Sequence, residues 1–254
     1  MNQITYDVKL PLIDKNLRRE EEYFILVQNK QEQKIKVRDY SQVYKIPGLY
    51  EYVLVDKLKF NTHKVLSELL VSEVNKSQSS AAELSILELA AGVGLVGQCL
   101  KDKGIESIVG VDLIEEAAEA AKRDRPDVYR RYYVEELPYV TEQVHQELEN
   151  SQFNCLVCSS ALTGGLPRAA FAFAYNLITD GGWIAFNIRE DLLDSNQANH
   201  SSGKMLANMI KEGILSIKVK QPYRHRMSVN GNSLHEVALV GLKMTSIPTA
   251  MIVE

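Results

Sequence analysis

The stretch Ile86-Leu-Glu88-Leu-Ala90-Ala-Gly92-Val-Gly94-Leu-Val-Gly97 decides how this chain folds. A run of apolar residues, patterned as a buried strand, enters a glycine-rich turn and continues as a helix. A second apolar run, Ser107-Ile-Val-Gly-Val-Asp112-Leu113, ends in a carboxylate. In α/β proteins this succession holds adenosine-containing ligands. Glycines let the backbone pass close to the ligand, free N–H groups of the helix point at it, and the acidic end of the next strand grips ribose hydroxyls. Gly92, Gly94 and Gly97 also spell the dinucleotide pattern G-x-G-x-x-G. Glu88 discriminates between the two cases. A carboxylate at that strand end repels a pyrophosphate but suits a ligand that carries an ammonium group.

With Glu88 included, the chain resembles the class I, Rossmann-like S-adenosylmethionine-dependent methyltransferases. Their acidic-x-Gly-x-Gly-x-Gly motif appears as Glu88-Leu-Ala90-Ala-Gly92-Val-Gly94, with Ala90 in place of the first glycine. That replacement costs little as long as Ala90 keeps a negative φ. Further matches follow in the family's order. Asp112-Leu113 resembles the ribose-binding strand end, and Glu135-Glu136-Leu137 the segment that meets the adenine amino group. The run Phe153 to Ser159 and Ser160 resembles the fourth strand, and Gly181-Gly182-Trp183 to Asn187 the turn and fifth strand. The resemblance covers residues 80 to 243. It implies a doubly wound, mostly parallel seven-stranded sheet and S-adenosylmethionine as cofactor, held by Glu88, Ala90, Gly92, Gly94, Asp112, Leu113, Glu135, Glu136, Leu137 and Ser159.

Residues 1–80 are expected to form an N-terminal hairpin and helical cap, with residues 81–254 as the cofactor-binding domain. Glu22 to Val27 and Gln33 to Val37 flank a polar Gln28-Asn-Lys-Gln-Glu32 and read as a β-hairpin. After Pro47-Gly48, Leu49–Lys59 and Thr62–Val74 show helical spacing, with Thr62 as N-cap. In many small-molecule methyltransferases a tyrosine-bearing N-terminal helix covers the cofactor. That resemblance makes Tyr40 and Tyr44 candidates to touch cofactor or acceptor, the alternative being that their rings dock the N-terminal segment onto the core.

The chain has 254 residues and a net charge of −4, which argues against a surface that tracks phosphates and hence against a nucleic-acid substrate. No apolar run reaches membrane-spanning length and no signal-peptide core is evident, so a cytoplasmic location is expected. Cys155-Leu-Val-Cys158 is not a metal or redox pair, because residues three apart on a strand point to opposite faces.

Acceptor-side residues belong at the carboxyl ends of the strands. Ser160 and Thr163 follow the fourth strand, and Asn187 and Arg189 the fifth. Alternation along Tyr223-Arg224-His225-Arg226 puts Tyr223 and His225 on one face and Arg224 and Arg226 on the other. Either His225 acts as a base, the alternative being a hydrogen-bonded surface histidine, or the arginines hold an acidic substrate group. His200 lies in a polar loop that could belong to a lid. The serines after the fourth strand replace both the Asn/Asp-Pro-Pro-aromatic motif of amino-methyltransferases acting on bases and the aspartate of metal-dependent catechol-type enzymes. The expectation is metal-independent methyl transfer to an oxygen or nitrogen of a small molecule. The alternatives are an NAD-dependent oxidoreductase and a non-catalytic protein that keeps the fold as a binding or dimerisation scaffold. A homodimer is left open.

Overall fold

The computed structural model describes residues 5–11, 17–193 and 201–252. Its central element is a seven-stranded sheet. In chain order the strands and α-helices of the described residues are β1 (Asp7–Lys9), β2 (Tyr23–Gln28), β3 (Gln31–Lys36), α1 (Tyr40–Lys45), α2 (Thr62–Lys76), β4 (Ser85–Leu89), α3 (Leu95–Lys101), β5 (Ser107–Asp112), α4 (Glu115–Asp124), β6 (Arg131–Val134), α5 (Glu142–Asn150), β7 (Cys155–Cys158), α6 (Arg168–Asn176), β8 (Trp183–Ile188), α7 (Ser201–Lys211), β9 (Leu215–Met227), β10 (Ser233–Lys243) and α8 (Thr249–Ile252). The large sheet has the order β6-β5-β4-β7-β8-β10-β9. Strands β4 to β8 are parallel, while β10 runs antiparallel to both β8 and β9. The chain leaves β4 toward β5 and β6, then returns to β7 on the other side. This places a topological switch point, where open sheets bind ligands, between the ends of β4 and β7.

Strands covered on both faces need apolar residues at every position, which is what Ile86-Leu87 and Cys155-Leu-Val-Cys158 supply. One face carries Leu87, Leu89, Leu156, Cys158 and Phe186 against α6 and α7; the other carries Ile86, Ile108, Cys155 and Val157 against Leu66 and Leu70 of α2 and Val96 and Leu100 of α3. Cys155 and Cys158 thus lie on opposite faces. The long edge strand β9 carries Lys218, Lys220 and Pro222, which blunt it against pairing with another chain.

The N-terminal strands form a separate three-stranded antiparallel sheet, β1-β2-β3. The turn of its hairpin is tighter than the sequence suggests. Asn29 and Lys30, with φ of 52° and 64°, reverse the chain alone, so Gln31 and Glu32 belong to β3. Two helical expectations also change. Within Leu49–Lys59 the helix runs from Leu49 to Lys57 and is π-helical over Glu51–Lys57, so it ends two residues earlier than expected. The cap of α2 is Asn61, because the Thr62 hydroxyl is engaged by Tyr223 Oη at 2.8 Å and His225 Nδ1 at 2.7 Å.

The two sheets are joined by a buried ion pair. Glu22 accepts hydrogen bonds from the Arg226 guanidinium and, at 3.0 Å, from the Val229 backbone N–H, while Val229 sits fully buried in the N-terminal core beside Phe24 and Val53. Removing one member of such a pair leaves an uncompensated buried charge. Glu22→Ala is therefore expected to lower stability by about 3–5 kcal/mol, read from urea unfolding; a loss below about 1 kcal/mol, the range of an exposed pair, would show that Glu22 does not join the sheets.

Candidate functional site

The carboxyl ends of β4 and β7 open into a cavity of about 330 Å³, lined by Glu88, Ala90 to Val93, Asp112, Leu113, Ser159 and Ser160 from the sheet side and by Tyr40, Tyr44 and Tyr50 from the N-terminal side. The glycine turn is held from several directions. The Gly92 N–H donates to Asp112 at 2.8 Å, the Gly92 carbonyl accepts from Tyr132 Oη at 2.8 Å, and the Val93 carbonyl accepts from Arg125 at 3.1 Å. At Gly92, with φ +55°, a Cβ would lie 3.0 Å from Tyr44 Oη, so this glycine is required both by its backbone and by the close approach of the lid ring. Tyr40 and Tyr44 are stacked at 5.6 Å and pack with Tyr50. They line the cavity and dock α1 at the same time.

Ala90 does not keep a negative φ. Its φ is +55°, a left-handed conformation that costs a residue with a Cβ roughly 1–2 kcal/mol. The following Ala91 N–H is held by the Val111 carbonyl at 3.1 Å and Gly92 by Asp112, which fixes the turn there. Ser160, at the end of the neighbouring β7, also has positive φ, +60°, and its N–H donates to Asn187 at 2.8 Å.

Glu88 is buried at the cavity wall, where Tyr129 Oη donates to it at 2.9 Å. Burial pushes its carboxyl up from 4.5 to about 8, partly offset by that hydrogen bond. Burial also raises Asp112, against the lowering effect of the backbone N–H groups of Ile114, Gly92 and Leu113. Leu113 is 65% exposed beside it, leaving a flat apolar surface at the cavity mouth. Glu135, Glu136 and Leu137 follow β6 and do not line the cavity; β6 lies two strands away from β4, and Leu137 turns into the core.

A second, smaller chamber of about 40 Å³ adjoins the first, sharing Arg38, Tyr40, Tyr50, Phe60 and Ser160 with it. Arg19, Thr163, His225, Arg226 and Glu236, with the apolar Val37 and Leu54, complete its walls. The alternation expected along β9 fails here. Leu234 pairs with Arg226 and His235 with Arg224, so His225 is an extra residue in a β-bulge. The bulge turns both His225 and Arg226 to the chamber and leaves Arg224 exposed and in neither cavity. His225 is a buried histidine, not a surface one; desolvation, with Arg226, Arg19 and Arg38 nearby, holds it well below its usual pKa and hence neutral at pH 7. Asn187 lines neither cavity: it bridges the Ser160 N–H and Glu236. Arg189 pairs with Asp191 and is likewise outside both cavities, while its N–H reaches Thr163 Oγ1 at 3.3 Å. His200 lies outside the described residues.

Sequence reasoning missed Arg38, Tyr129, Tyr132, Arg125, Arg19 and Glu236. Only Glu236 had a local signal: it is a carboxylate in the apolar run Val237-Ala-Leu-Val240, the same kind of anomaly that singled out Glu88. The others reach the site by long-range contacts. Among the described residues no group of three or more His, Cys, Asp or Glu side chains could hold a metal ion, and no helix is long and apolar enough to cross a membrane.

Two outcomes follow from this geometry. Ala90→Gly relieves the left-handed strain but gains unfolded-state entropy, so thermal or urea unfolding should show stabilisation of about 1 kcal/mol; a destabilised variant would contradict the positive φ. A carboxyl whose folded-state pKa is raised contributes stability that is complete below 4.5 and is lost as pH rises through about 8. Glu88→Gln cannot ionise, so its melting temperature should gain on that of the unsubstituted protein as pH rises from 5 to 8.5. Parallel pH curves would mean that Glu88 is ionised throughout.

Residues 87–186 match the methyltransferase domain family. A curated relative, an uncharacterized RNA methyltransferase of Clostridium acetobutylicum, is 38% identical over 65 residues, which cover 26% of this chain and 14% of that protein. The chain therefore spans about a seventh of the length of that relative. Among solved structures, the N-methyltransferase NodS from Bradyrhizobium japonicum WM9, with S-adenosyl-L-homocysteine, superposes with a TM-score of 0.55 at 14% identity, over 82% of this chain and 97% of NodS. The magnesium protoporphyrin IX methyltransferase ChlM from Synechocystis PCC 6803 gives 0.50 at 11% identity, over 71% and 82%. These likenesses concern the fold. The match over residues 87–186 and the order of the seven strands together give this chain the Rossmann-like fold of the class I S-adenosylmethionine-dependent methyltransferases.

Proposed function

We propose that this protein transfers a methyl group from S-adenosylmethionine to an oxygen or nitrogen of a small acceptor, without a metal ion and in the cytoplasm. The observation that carries this reading is the pair of adjoining chambers at the switch point. The larger has two carboxylates, Glu88 and Asp112, and the smaller is closed off by N-terminal residues. A volume of about 330 Å³ lies within the range of small-ligand sites. Glu88, held protonated by burial, would be drawn back to its carboxylate by a bound ammonium, and Asp112 can accept from ribose hydroxyls, with Leu113 available to the face of a purine.

S-adenosylmethionine, when bound, supplies an electrophilic methyl group on sulfur. The residues of the chain are left with binding, orientation and water exclusion, which together can be worth roughly 7–11 kcal/mol. Tyr40, Tyr44 and Tyr50 cover the larger chamber, and Ser160 and Phe60 stand where it meets the smaller. Among the described residues, neutral His225 is the imidazole that lines the smaller chamber. It can hydrogen-bond an acceptor group there, while its lowered pKa makes it a weak base for full proton transfer. Asp112 is proposed to hold the ribose, with Glu88 facing the amino-acid tail. The narrow second chamber supports a small acceptor over RNA.

Calorimetry with S-adenosylhomocysteine and NADH tests the cofactor. The protein is expected to bind the former alone, and Asp112→Ala to weaken it by about 1.5–3 kcal/mol, a charge-assisted hydrogen bond. Binding of NADH alone would overturn the reading, and unchanged affinity in a folded Asp112→Ala protein would remove the ribose assignment.

A further inference from the structure

The smaller chamber has an unbalanced charge. Three guanidinium groups line it, those of Arg19, Arg38 and Arg226. Arg19 pairs with Glu236 at 3.1 Å, and Arg226 pairs with Glu22. Arg38 has neither a hydrogen bond nor an ion pair to any described residue. It stands half-buried on the turn between β3 and α1, and it lines both chambers. A partly desolvated guanidinium without an acceptor among the described residues, at the mouth of a small chamber, is a fork of donors shaped for a planar anion.

We infer that the acceptor is a small carboxylic acid bound as its monoanion, with the carboxylate against Arg38 in the smaller chamber and the remainder extending into the larger. The inference rests on the methyltransferase reading for the word acceptor; the anion site itself rests on the chamber alone. Size and charge both restrict the ligand. The chamber is narrow, about 40 Å³ against about 330 Å³ for its neighbour, which favours a small group such as a carboxylate at Arg38 with the bulk of the ligand outside it. Three cations against Glu22 and Glu236 leave one positive charge, which a monoanion neutralises. A dianion would instead place a second negative charge beside the buried Glu236. Thr163, Ser160 and His225 offer further polar atoms around the same space.

The test uses the full-length protein saturated with S-adenosylhomocysteine, whose own affinity for the unsubstituted protein and for Arg38→Gln is measured first. Acetate, benzoate, acetamide, benzamide and inorganic phosphate are then titrated separately, with binding followed by ligand-observed NMR. Each carboxylate is expected to bind at least about tenfold more tightly than its amide, the factor of one charge-assisted bond. Arg38→Gln should erase that preference, and Arg38→Lys should restore part of it. Equal binding of acids and amides, tighter binding of phosphate than of acetate, or an unaffected Arg38→Gln protein would overturn the inference. If S-adenosylhomocysteine does not bind at all, the cofactor reading fails separately. The same titration without it then still decides the anion site: a carboxylate preference lost in Arg38→Gln upholds it, and no preference overturns it.

Discussion

Glu236 is the buried carboxyl on which the arrangement of the smaller chamber depends. It projects from β10, accepts a hydrogen bond from Asn187 of β8, pairs with Arg19 of the N-terminal segment and lies 3.8 Å from His225 Nδ1. Burial pushes its carboxyl up, and Arg19 and Asn187 act in the opposite direction. A carboxylate in this position cannot be left without partners, since an unpaired buried charge is far more costly than an unpaired exposed one. Satisfying it brings together three parts of the chain that are remote in sequence. Through Asn187 the same network reaches the Ser160 N–H and so holds the end of β7 in its left-handed turn.

Both non-glycine residues with positive φ at the cavity lie at ends of the two strands that flank the switch point. Ala90 follows β4, and Ser160 follows β7. Such conformations persist only where surrounding bonds over-determine them, and they gather at ligand sites. Here the restraints come from Val111, Asp112 and Asn187, all on neighbouring strands. Two parallel strands thus end in sharp turns facing one space. The sheet supplies rigidity, and the turns shape the cavity wall.

The two ends of the chain complete the site together. Arg19 and Arg38 come from the N-terminal region, His225, Arg226 and Glu236 from the closing hairpin, and all five line the smaller chamber. The Glu22–Arg226 pair and the burial of Val229 among N-terminal residues fix the two ends relative to each other. The smaller chamber is therefore walled mainly by the two ends of the chain and only in part by the parallel strands.

Local pattern marked the buried strands, which must be apolar at every position, and the resemblance carried by the glycine turn, Asp112 and the later strands in their fixed order implied the doubly wound sheet that the structure has. Local pattern also separated Cys155 from Cys158, since strand alternation is a local rule. Where a residue's role depends on distant partners, the pattern was silent or misleading. The Thr62 hydroxyl was free to cap a helix until Tyr223 and His225 took it. Alternation along β9 held until a bulge at His225 re-aimed two side chains. Ala90 could keep a negative φ only if Val111 and Asp112 did not hold the turn as they do. Arg38, on an exposed-looking polar turn, becomes a wall of two chambers only when the N-terminal sheet docks on the closing hairpin. Short-range periodicity encodes which face of an element is buried, whereas the assembly of charged groups around a cavity is set by contacts across the whole chain.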